Sequence, residues 1–473
     1  MKTQNRKLLE GPILISLITL AVPIVLGNVL QSLYQLTDAF WVGRLGGSAV
    51  AAVSVSFPIQ FLMIAIGGGL AMAGSVLIAQ YAGANNQIMV NQVAAQTLLM
   101  AMVVSVVLSV IGYIFAPSIL NAIGVSPDVF DHALGFMRVS FLGLPFTFIF
   151  IMFQSIMRGL GEVKVPMFIV LGTVMLNFLL DPLFIFGWSG IAGHGVMGAA
   201  MATFVTQVLS SVIALGVFLG GRYDIHLRAI DFRPDFSFMK KAFRLGLPAS
   251  IEQSTRAIGM VVMTFLVTGF GTMAIASYGV GSNILMFIII PALGIAMAVS
   301  TLVGQNIGAG NIERATEISR LGAIISFSLL SGIGVLVFMF AQQLVGFFVP
   351  GDLGVIELGT VYVRTMALTF GFMGIQMSIN GVFRASGNMV TAMTLTLISQ
   401  WLLQFPLAFV LSKYTSLGVN GLWWAFPVSN VVMALVVIGW YMKGDWKKTK
   451  LTKEEKLQER VTEEVLIEEG VRS

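Results

Sequence analysis

Apolar stretches long enough to cross a lipid bilayer constrain the fold of this chain more than any other feature. A bilayer span needs about 20 mostly apolar residues. Twelve such stretches occur, at 13–37, 50–79, 93–117, 134–157, 165–187, 194–219, 244–268, 276–301, 318–341, 357–381, 390–411 and 418–442. Charged residues make up 10% of the chain, whereas a soluble chain of this size carries about 25%. The sequence therefore predicts an all-α membrane protein with twelve transmembrane helices.

The second half of the chain repeats motifs of the first half. The segment Q-Y-A-G-A-N-N at Gln80–Asn86 returns as Q-N-I-G-A-G-N at Gln305–Asn311, 225 residues later. Further pairs keep this spacing to within one residue: Pro23 with Pro248, Gly46 with Gly271, Ala49 with Ala274, Arg138 with Arg364, and Arg158 with Arg384. Repeats of this length in a membrane chain are typical of two bundles that face each other across a substrate cavity. We expect two pseudo-symmetric six-helix bundles.

The spans and charges predict the domain organisation. They give an N-terminal six-helix lobe (1–220), a cytoplasmic inter-lobe linker (221–243), a C-terminal six-helix lobe (244–442) and a charged cytoplasmic tail (443–473). An even number of spans puts both termini on one side, which also holds most of the 27 basic residues. By the positive-inside rule that side is cytoplasmic. The expected location is the plasma membrane, and the net charge of +5 reflects topology and indicates no nucleic-acid partner.

The halves differ in their acidic residues. Asp38 aligns with Met263, and Asp181 aligns with Phe405. Both of these membrane carboxylates therefore belong to the N-terminal half, and this asymmetry indicates an ion site in one lobe.

Asp38 lies late in the first span, in the segment Q-S-L-Y-Q-L-T-D. Gln31, Tyr34 and Asp38 are three and four residues apart, so they share one helical face. A charged carboxylate in the hydrocarbon region costs about 2.5–3.5 kcal/mol even on the lenient insertion scale, and such a residue usually faces a wet cavity. The alternative is an interfacial Asp38 that ends the span or pairs with Arg44.

Asp181 lies deep in the fifth span, in N-F-L-L-D-P. Asn177 is one turn earlier and can hydrogen-bond the carboxyl group in either protonation state. Pro182 removes a backbone donor and predicts a kink with room for water or an ion. The alternative is a protonated Asp181 that only bonds a neighbouring helix.

Two acids close together suit ion coupling. Burial and like-charge repulsion both favour the protonated forms, so Asp38 and Asp181 suit proton coupling. The same carboxylates, together with Asn177, offer hard oxygen ligands that suit sodium, and these three residues would be the metal site only if the coupling ion is Na⁺. The residues alone do not separate the two ions.

Other polar residues in the spans are candidates for the substrate cavity. They are Gln31, Tyr34, Gln154, Thr203 and Glu252. Glu252 is followed by Arg256 at the favoured spacing for a helix ion pair, so a self-neutralised pair is the first interpretation and a cation-binding Glu252 the second. Pro23 is a candidate hinge, since a bend of the first span would move Asp38.

No enzyme chemistry is indicated by the sequence. The chain has no cysteine, its three histidines lack metal-ligand spacing, and it has no Walker motif for ATP. We expect no cofactor beyond the coupling ion, H⁺ or alternatively Na⁺.

The chain resembles the multidrug and toxic compound extrusion (MATE) family. The resemblance rests on the two-times-six organisation, L-T-D near the end of the first span, N-x-x-x-D-P in the fifth, and the paired Q-x-x-G-A-x-N motifs. It is most similar to the DinF-like branch, and this implies that Asp38, Asn177 and Asp181 carry the coupling ion and that Pro23 lies in a bending first helix. The NorM-like branch also uses an acid in span seven, near Glu252. The family resemblance further implies a monomer in the lipid bilayer that exports small cationic or amphipathic drugs and dyes by alternating access.

Two functions remain open at this point. The first is secondary active multidrug efflux, by proton or sodium antiport. The alternative is a flippase for a lipid-linked precursor, whose phosphates would require a basic cavity. Arg256 is the one basic residue that the sequence places well inside a span, and this argues against the flippase.

Overall fold

The structure, a computed structural model, describes residues 8–188, 191–221, 223 and 225–452. The long helices of the first half are α1 (Ile13–Gly43), α2 (Gly47–Gly83), α3 (Gln87–Ile123), α4 (Pro127–Gly159), α5 (Lys164–Phe186) and α6 (Val196–Leu219). Those of the second half are α7 (Phe236–Thr268), α8 (Thr272–Ala309), α9 (Ile312–Phe348), α10 (Leu353–Ala367), α11 (Phe370–Ala385), α12 (Met389–Leu397), α13 (Phe405–Lys413) and α14 (Val419–Met442). A two-residue strand pair, β1 (Gly187–Trp188) and β2 (Ile191–Ala192), joins α5 to α6.

These helices form the twelve membrane helices that the sequence predicts. Ten described segments are long and apolar enough to cross a membrane, with α12 and α13 counted as one continuous segment. Helices α10 and α11 form one bent span, with a 50° angle at the break. Helix α7 contains the predicted span 244–268 but is less apolar than the others, because Glu252 and Arg256 lie in its middle. The fold class is that of an all-α membrane protein with two six-helix bundles.

Helix α7 begins inside the segment that the sequence assigns to the linker, 221–243. Asp235 caps this helix, because its carboxylate accepts a hydrogen bond from the backbone N–H of Phe238 at 3.0 Å. Before it, Ala229–Phe232 forms a short 3₁₀ helix. The first turns of α7 therefore lie within 221–243 and precede the apolar part of the helix.

The second bundle departs from the first in the regularity of two spans. Helix α4 runs unbroken, whereas its counterpart breaks between α10 and α11. Helix α5 is likewise continuous, whereas its counterpart contains a π-helical segment, Ile398–Gln404, between α12 and α13. Repeated sequence thus gives a common architecture with local differences in backbone geometry.

The lobes meet through a reciprocal contact between α2 and α8. Gln80 donates from Nε2 to the carbonyl of Ala385 at 2.7 Å, and Gln305 donates to the carbonyl of Gly159 at 2.9 Å. A Cβ on Gly83 would collide with the backbone of Gln305. The repeated Q-x-x-G motif therefore packs against its own copy, with the glycine of each motif against the glutamine backbone of the other. We name this contact, formed by Gln80, Gly83, Gln305 and Gly308, the glutamine seam.

The start of the C-terminal tail packs beneath this seam. Trp446 is buried and stacks on Tyr441. The backbone N–H of Leu451 donates to Oε1 of Gln80 at 2.9 Å, and its carbonyl accepts from Nζ of Lys241 at 3.1 Å. The acidic stretch that the sequence predicts from Glu454 onward lies outside the described residues.

Candidate ion-coupling site and interlobe clefts

The N-terminal lobe brings both predicted acids onto one amide. Asn177 donates from Nδ2 to Oδ1 of Asp38 at 2.7 Å and to Oδ2 of Asp181 at 3.1 Å. Asp181 and Asn177 lie one turn apart on α5, and Asp38 reaches them from α1. Asn177 and Asp181 are fully buried. We name these three residues the acid cluster.

Hydroxyl groups of α1 and α6 surround the acid cluster. Thr203 donates to Oδ2 of Asp38 at 3.2 Å. Thr206 lies 3.5 Å from Oδ1 of Asn177, and the hydroxyl of Tyr34 hydrogen-bonds Thr206. The predicted candidates Tyr34 and Thr203 therefore lie beside the acids. Hydrogen bonds between polar side chains join α1, α5 and α6 at this site.

The two carboxyl groups differ in their surroundings. Both oxygens of Asp38 accept hydrogen bonds. Oδ1 of Asp181 is buried and has no hydrogen-bond partner among the described residues. Arg44 stacks on the rings of Phe40 and Trp41, whereas Asp38 hydrogen-bonds Asn177 and Thr203.

Three other candidates line a separate cleft, nearer the glutamine seam. Pro23, Gln31 and Gln154 share it with Arg158, Asn28 and Gly27. We name it the hinge cleft. A further pocket next to Asp38 is lined by Thr203, Gln60 and Gln207. The stripe Gln31–Tyr34–Asp38 on α1 thus runs from one cleft to the other.

Glu252 forms the ion pair that its spacing predicts. Its Oε1 accepts from Arg256 at 2.9 Å, from Arg384 at 2.5 Å and from Thr396 at 3.2 Å. The side chain of Glu252 is 2% exposed. The predicted pair is confirmed, and Arg384 from the other side of the lobe makes the carboxylate a shared partner of two guanidinium groups.

The cleft between the lobes is more basic than the sequence predicts. It is lined by Arg158, Arg256 and Arg384, with Gln253, Ser75 and Ser300. We name it the interlobe cleft. Arg256 is still the one arginine well inside a predicted span, but the inference of a weakly basic cavity is wrong, because Arg158 and Arg384 in the last turns of α4 and α11 also line the cleft. Cavity charge therefore no longer argues against a phosphate-bearing substrate.

Sequence reasoning missed three contributors. Thr206, Arg384 and Thr396 complete the two polar clusters from helices distant in sequence. The repeat pairs Arg384 with Arg158, and this was the available signal that both face a shared cavity. Nothing in the local sequence singles out Thr206 or Thr396.

Comparison with known proteins agrees with this architecture. The MatE family model matches residues 23–183 and 248–410, one copy in each lobe. The probable multidrug resistance protein YoeA of Bacillus subtilis is 31% identical over 91% of this chain and 94% of its own length. The probable multidrug resistance protein NorM of Thermotoga maritima is 29% identical over 94% of this chain and 95% of its own length.

A solved structure has the same fold. It is described as the outward-facing conformation of a multidrug resistance MATE family transporter of the MOP superfamily. It superposes with a TM-score of 0.89 at 26% identity, covering 95% of this chain and all of the other. With two matched lobes, the repeated Q-x-x-G-A seam and the paired acids, the chain belongs to the MatE, or multidrug and toxic compound extrusion, family of transporters.

Proposed function

We propose that this protein is a secondary active exporter of amphipathic, cationic compounds, driven by protons entering at the acid cluster. The observation that carries the proposal is the single amide of Asn177 held between two carboxyl groups. Two ionised carboxylates this close repel each other, and a bound cation relieves the repulsion. The multidrug resistance names of the relatives support efflux as the physiological direction.

Proton binding would change the hydrogen bonding of the cluster. An ionised carboxylate only accepts, whereas a protonated one also donates. Oδ1 of Asp181, which has no partner among the described residues, is the natural position for the proton. A protonated Asp181 would donate toward its neighbours and tie α1 to α5 more closely than the ionised form.

Helix α1 can transmit this change toward the hinge cleft. Pro23 and Asp38 lie on the same helix, about 22 Å apart at 1.5 Å per residue. Pro23 lines the hinge cleft with Gln31 and Gln154. Loading of the acid cluster would therefore reshape a cleft on the seam side of the lobe, and alternating access between the two lobes would follow from such a change.

Sodium is the alternative coupling ion. The carboxylates of Asp38 and Asp181 and the carbonyl oxygen of Asn177 are the hard oxygen ligands that would hold it.

We further propose that both termini lie on the cytoplasmic side and that the protein acts in the plasma membrane as a monomer. The DinF-like assignment agrees with the concentration of acids in the first lobe.

Efflux from proteoliposomes tests the proposal. Ethidium transport is followed under a proton gradient and, separately, under a sodium gradient. The variant Asp181→Asn keeps the size of the side chain and removes its charge, and Asp131→Asn at an exposed site is the matched control. We expect one gradient to drive efflux in the wild type and the control, and neither to do so in Asp181→Asn. Efflux that survives Asp181→Asn would place the coupling site elsewhere.

A further inference from the structure

The two lobes contain equivalent arginines with different partners. Arg158 lies in the last turn of α4 and Arg384 in the last turn of α11, and the repeat aligns them. In the C-terminal lobe Glu252 of α7 accepts from Arg384. The residue of α1 that aligns with Glu252, at the 225-residue offset, is Gly27. The N-terminal lobe thus has the arginine without the carboxylate.

Arg158 has no acidic partner in the part of the chain that the structure describes. Its one side-chain hydrogen bond there is from Nη1 to the sulfur of Met297 at 3.1 Å, and a thioether is a weak acceptor. A charged group that is partly removed from water carries a desolvation free-energy cost unless a group of opposite charge lies next to it. Among the described residues, the guanidinium group of Arg158 therefore has no strong side-chain acceptor.

The hinge cleft presents further donors next to Arg158. Asn28, Gln31 and Gln154 line it, and none of its described lining residues is a carboxylate. Nδ2 of Asn28 is buried and has no hydrogen-bond partner among the described residues. A guanidinium group with neighbouring amide donors matches the oxygens of a carboxylate or a phosphate.

The interlobe cleft carries the same sign of charge. Arg158 also lines this cleft, together with Arg256 and Arg384. Glu252 is the one carboxylate that pairs with any of these arginines among the described residues. Three guanidinium groups against one carboxylate give a positive surface, which attracts anions toward Arg158.

We propose that Arg158 and the amides of the hinge cleft bind the anionic group of an amphipathic compound, in the position that Glu252 takes in the other lobe. This rests on the proposed function for its transported compounds and extends their class to amphiphiles that bear a carboxylate. The same chemistry could be supplied by the headgroup of an anionic lipid, and the experiment distinguishes the two sources.

Binding is measured on the full-length protein in nanodiscs of phosphatidylcholine. The probes are pyrenebutyrate, pyrenebutanol and pyrenebutylamine, which differ only in their terminal group. We expect the carboxylate to bind about tenfold more tightly than the alcohol, as one charge-assisted hydrogen-bonded pair provides, and the amine to bind most weakly. Tightest binding by the amine would overturn the proposal.

Two variants locate the site. Arg158→Gln should remove the preference for the carboxylate and leave the alcohol unchanged, whereas Arg138→Gln on the same helix should change neither. Gly27→Glu supplies the carboxylate that the other lobe has, and a Cβ at Gly27 meets no atom within 4 Å. It should also abolish the preference. A preference that persists in both variants would overturn the proposal even if one of them folds poorly.

Adding phosphatidylglycerol to the nanodiscs separates the sources. Displacement of pyrenebutyrate by this lipid supports the anion site and assigns it to a headgroup, whereas unchanged binding supports it and assigns it to a transported amphiphile. Because binding needs no gradient, the outcome is independent of coupling. Persistent binding without gradient-driven efflux would refute the proposed function alone, and driven efflux with no effect at Arg158 would refute the anion site alone.

Discussion

The two lobes share a scaffold and differ in where they bury charge. The first lobe holds two acids on one amide, at Asp38, Asn177 and Asp181. The equivalents of the two acids in the second lobe, Met263 and Phe405, are 1% and 8% exposed within an apolar cluster. The second lobe instead buries Glu252 between arginines. An acid with an unpartnered oxygen can take up a cation, whereas an acid already held by two guanidinium groups is structurally fixed.

The largest effect is expected when the first lobe is given the residue of the second. Asp38→Met should reduce gradient-driven efflux by about a hundredfold, because one of the two cation-binding carboxylates is lost. This factor corresponds to the upper end of the usual range of coupling free energies. Efflux from proteoliposomes measures this. Adding Met263→Asp should not restore transport, since that site is apolar and the residue aligned with Asn177 is Trp401, which has no amide side chain. Restored efflux in the double variant would show that the lobes are interchangeable.

Neutralising Glu252, the acid of the second lobe, should lower the stability of the protein more than it affects ion-coupled transport. Glu252→Gln leaves two arginines without their shared carboxylate, and breaking a buried ion pair on one side costs about 3–5 kcal/mol. The loss of stability is measured by heating the purified protein and using size-exclusion chromatography to quantify the protein that remains folded at each temperature. Glu357→Gln at an exposed site is the control. Normal stability with lost ion coupling would instead make Glu252 a coupling residue.

At the glutamine seam, equivalent substitutions in the two lobes should lower the stability of the protein by similar amounts. Gly83→Ala and Gly308→Ala each place a methyl group against the backbone of the opposite glutamine, and should destabilise the protein by about 1–3 kcal/mol each. Gly68→Ala on α2 meets no atom within 4 Å and serves as the control. Thermal unfolding compares the three variants. A large difference between the two seam variants would show that the seam is not symmetric in energy.

The smallest effect is expected from a hydroxyl next to the acids. Thr203→Val removes the hydrogen bond to Oδ2 of Asp38 and keeps the shape of the side chain. Loss of one such bond changes the free energy by about 0.5–1.5 kcal/mol, so ion affinity should shift by up to about tenfold. The dependence of efflux on the concentration of the coupling ion measures the shift. Thr264→Val, on the exposed face of α7, is the matched control.

Local spacing predicted the helices and the position of Asn177 beside Asp181, because both depend on residues close in sequence. Asp38 joins Asn177 from α1, across 139 residues. The twelve apolar stretches mark the spans, and Asn177 and Asp181 are one turn apart. Contacts between distant helices were not predictable in the same way. Arg384 meets Glu252 across 132 residues, and Thr206 reaches Asn177 from a neighbouring helix. The break between α10 and α11 also has no proline to announce it.

The charge of the cavity was misjudged for a related reason. Hydropathy assigns Arg158 and Arg384 to the ends of spans, where basic residues are ordinary. Side-chain direction then decides whether such an arginine faces headgroups or turns into a cleft, and this depends on how the lobes pack. The repeat could have raised the question, since it aligns these two arginines.

The glutamine seam has a consequence for how easily the lobes can separate. Its two side-chain bonds end on backbone carbonyls, of Ala385 and Gly159, so no side-chain change at those residues removes the acceptors. When such bonds part, water can replace each partner, and the net free-energy difference is about 0.5–1.5 kcal/mol per bond. The glutamine seam should stay closed while water is absent from it and open once water reaches its hydrogen-bonding groups. Entry of water, more than the loss of the protein–protein hydrogen bonds, would then set the barrier to separation of the lobes.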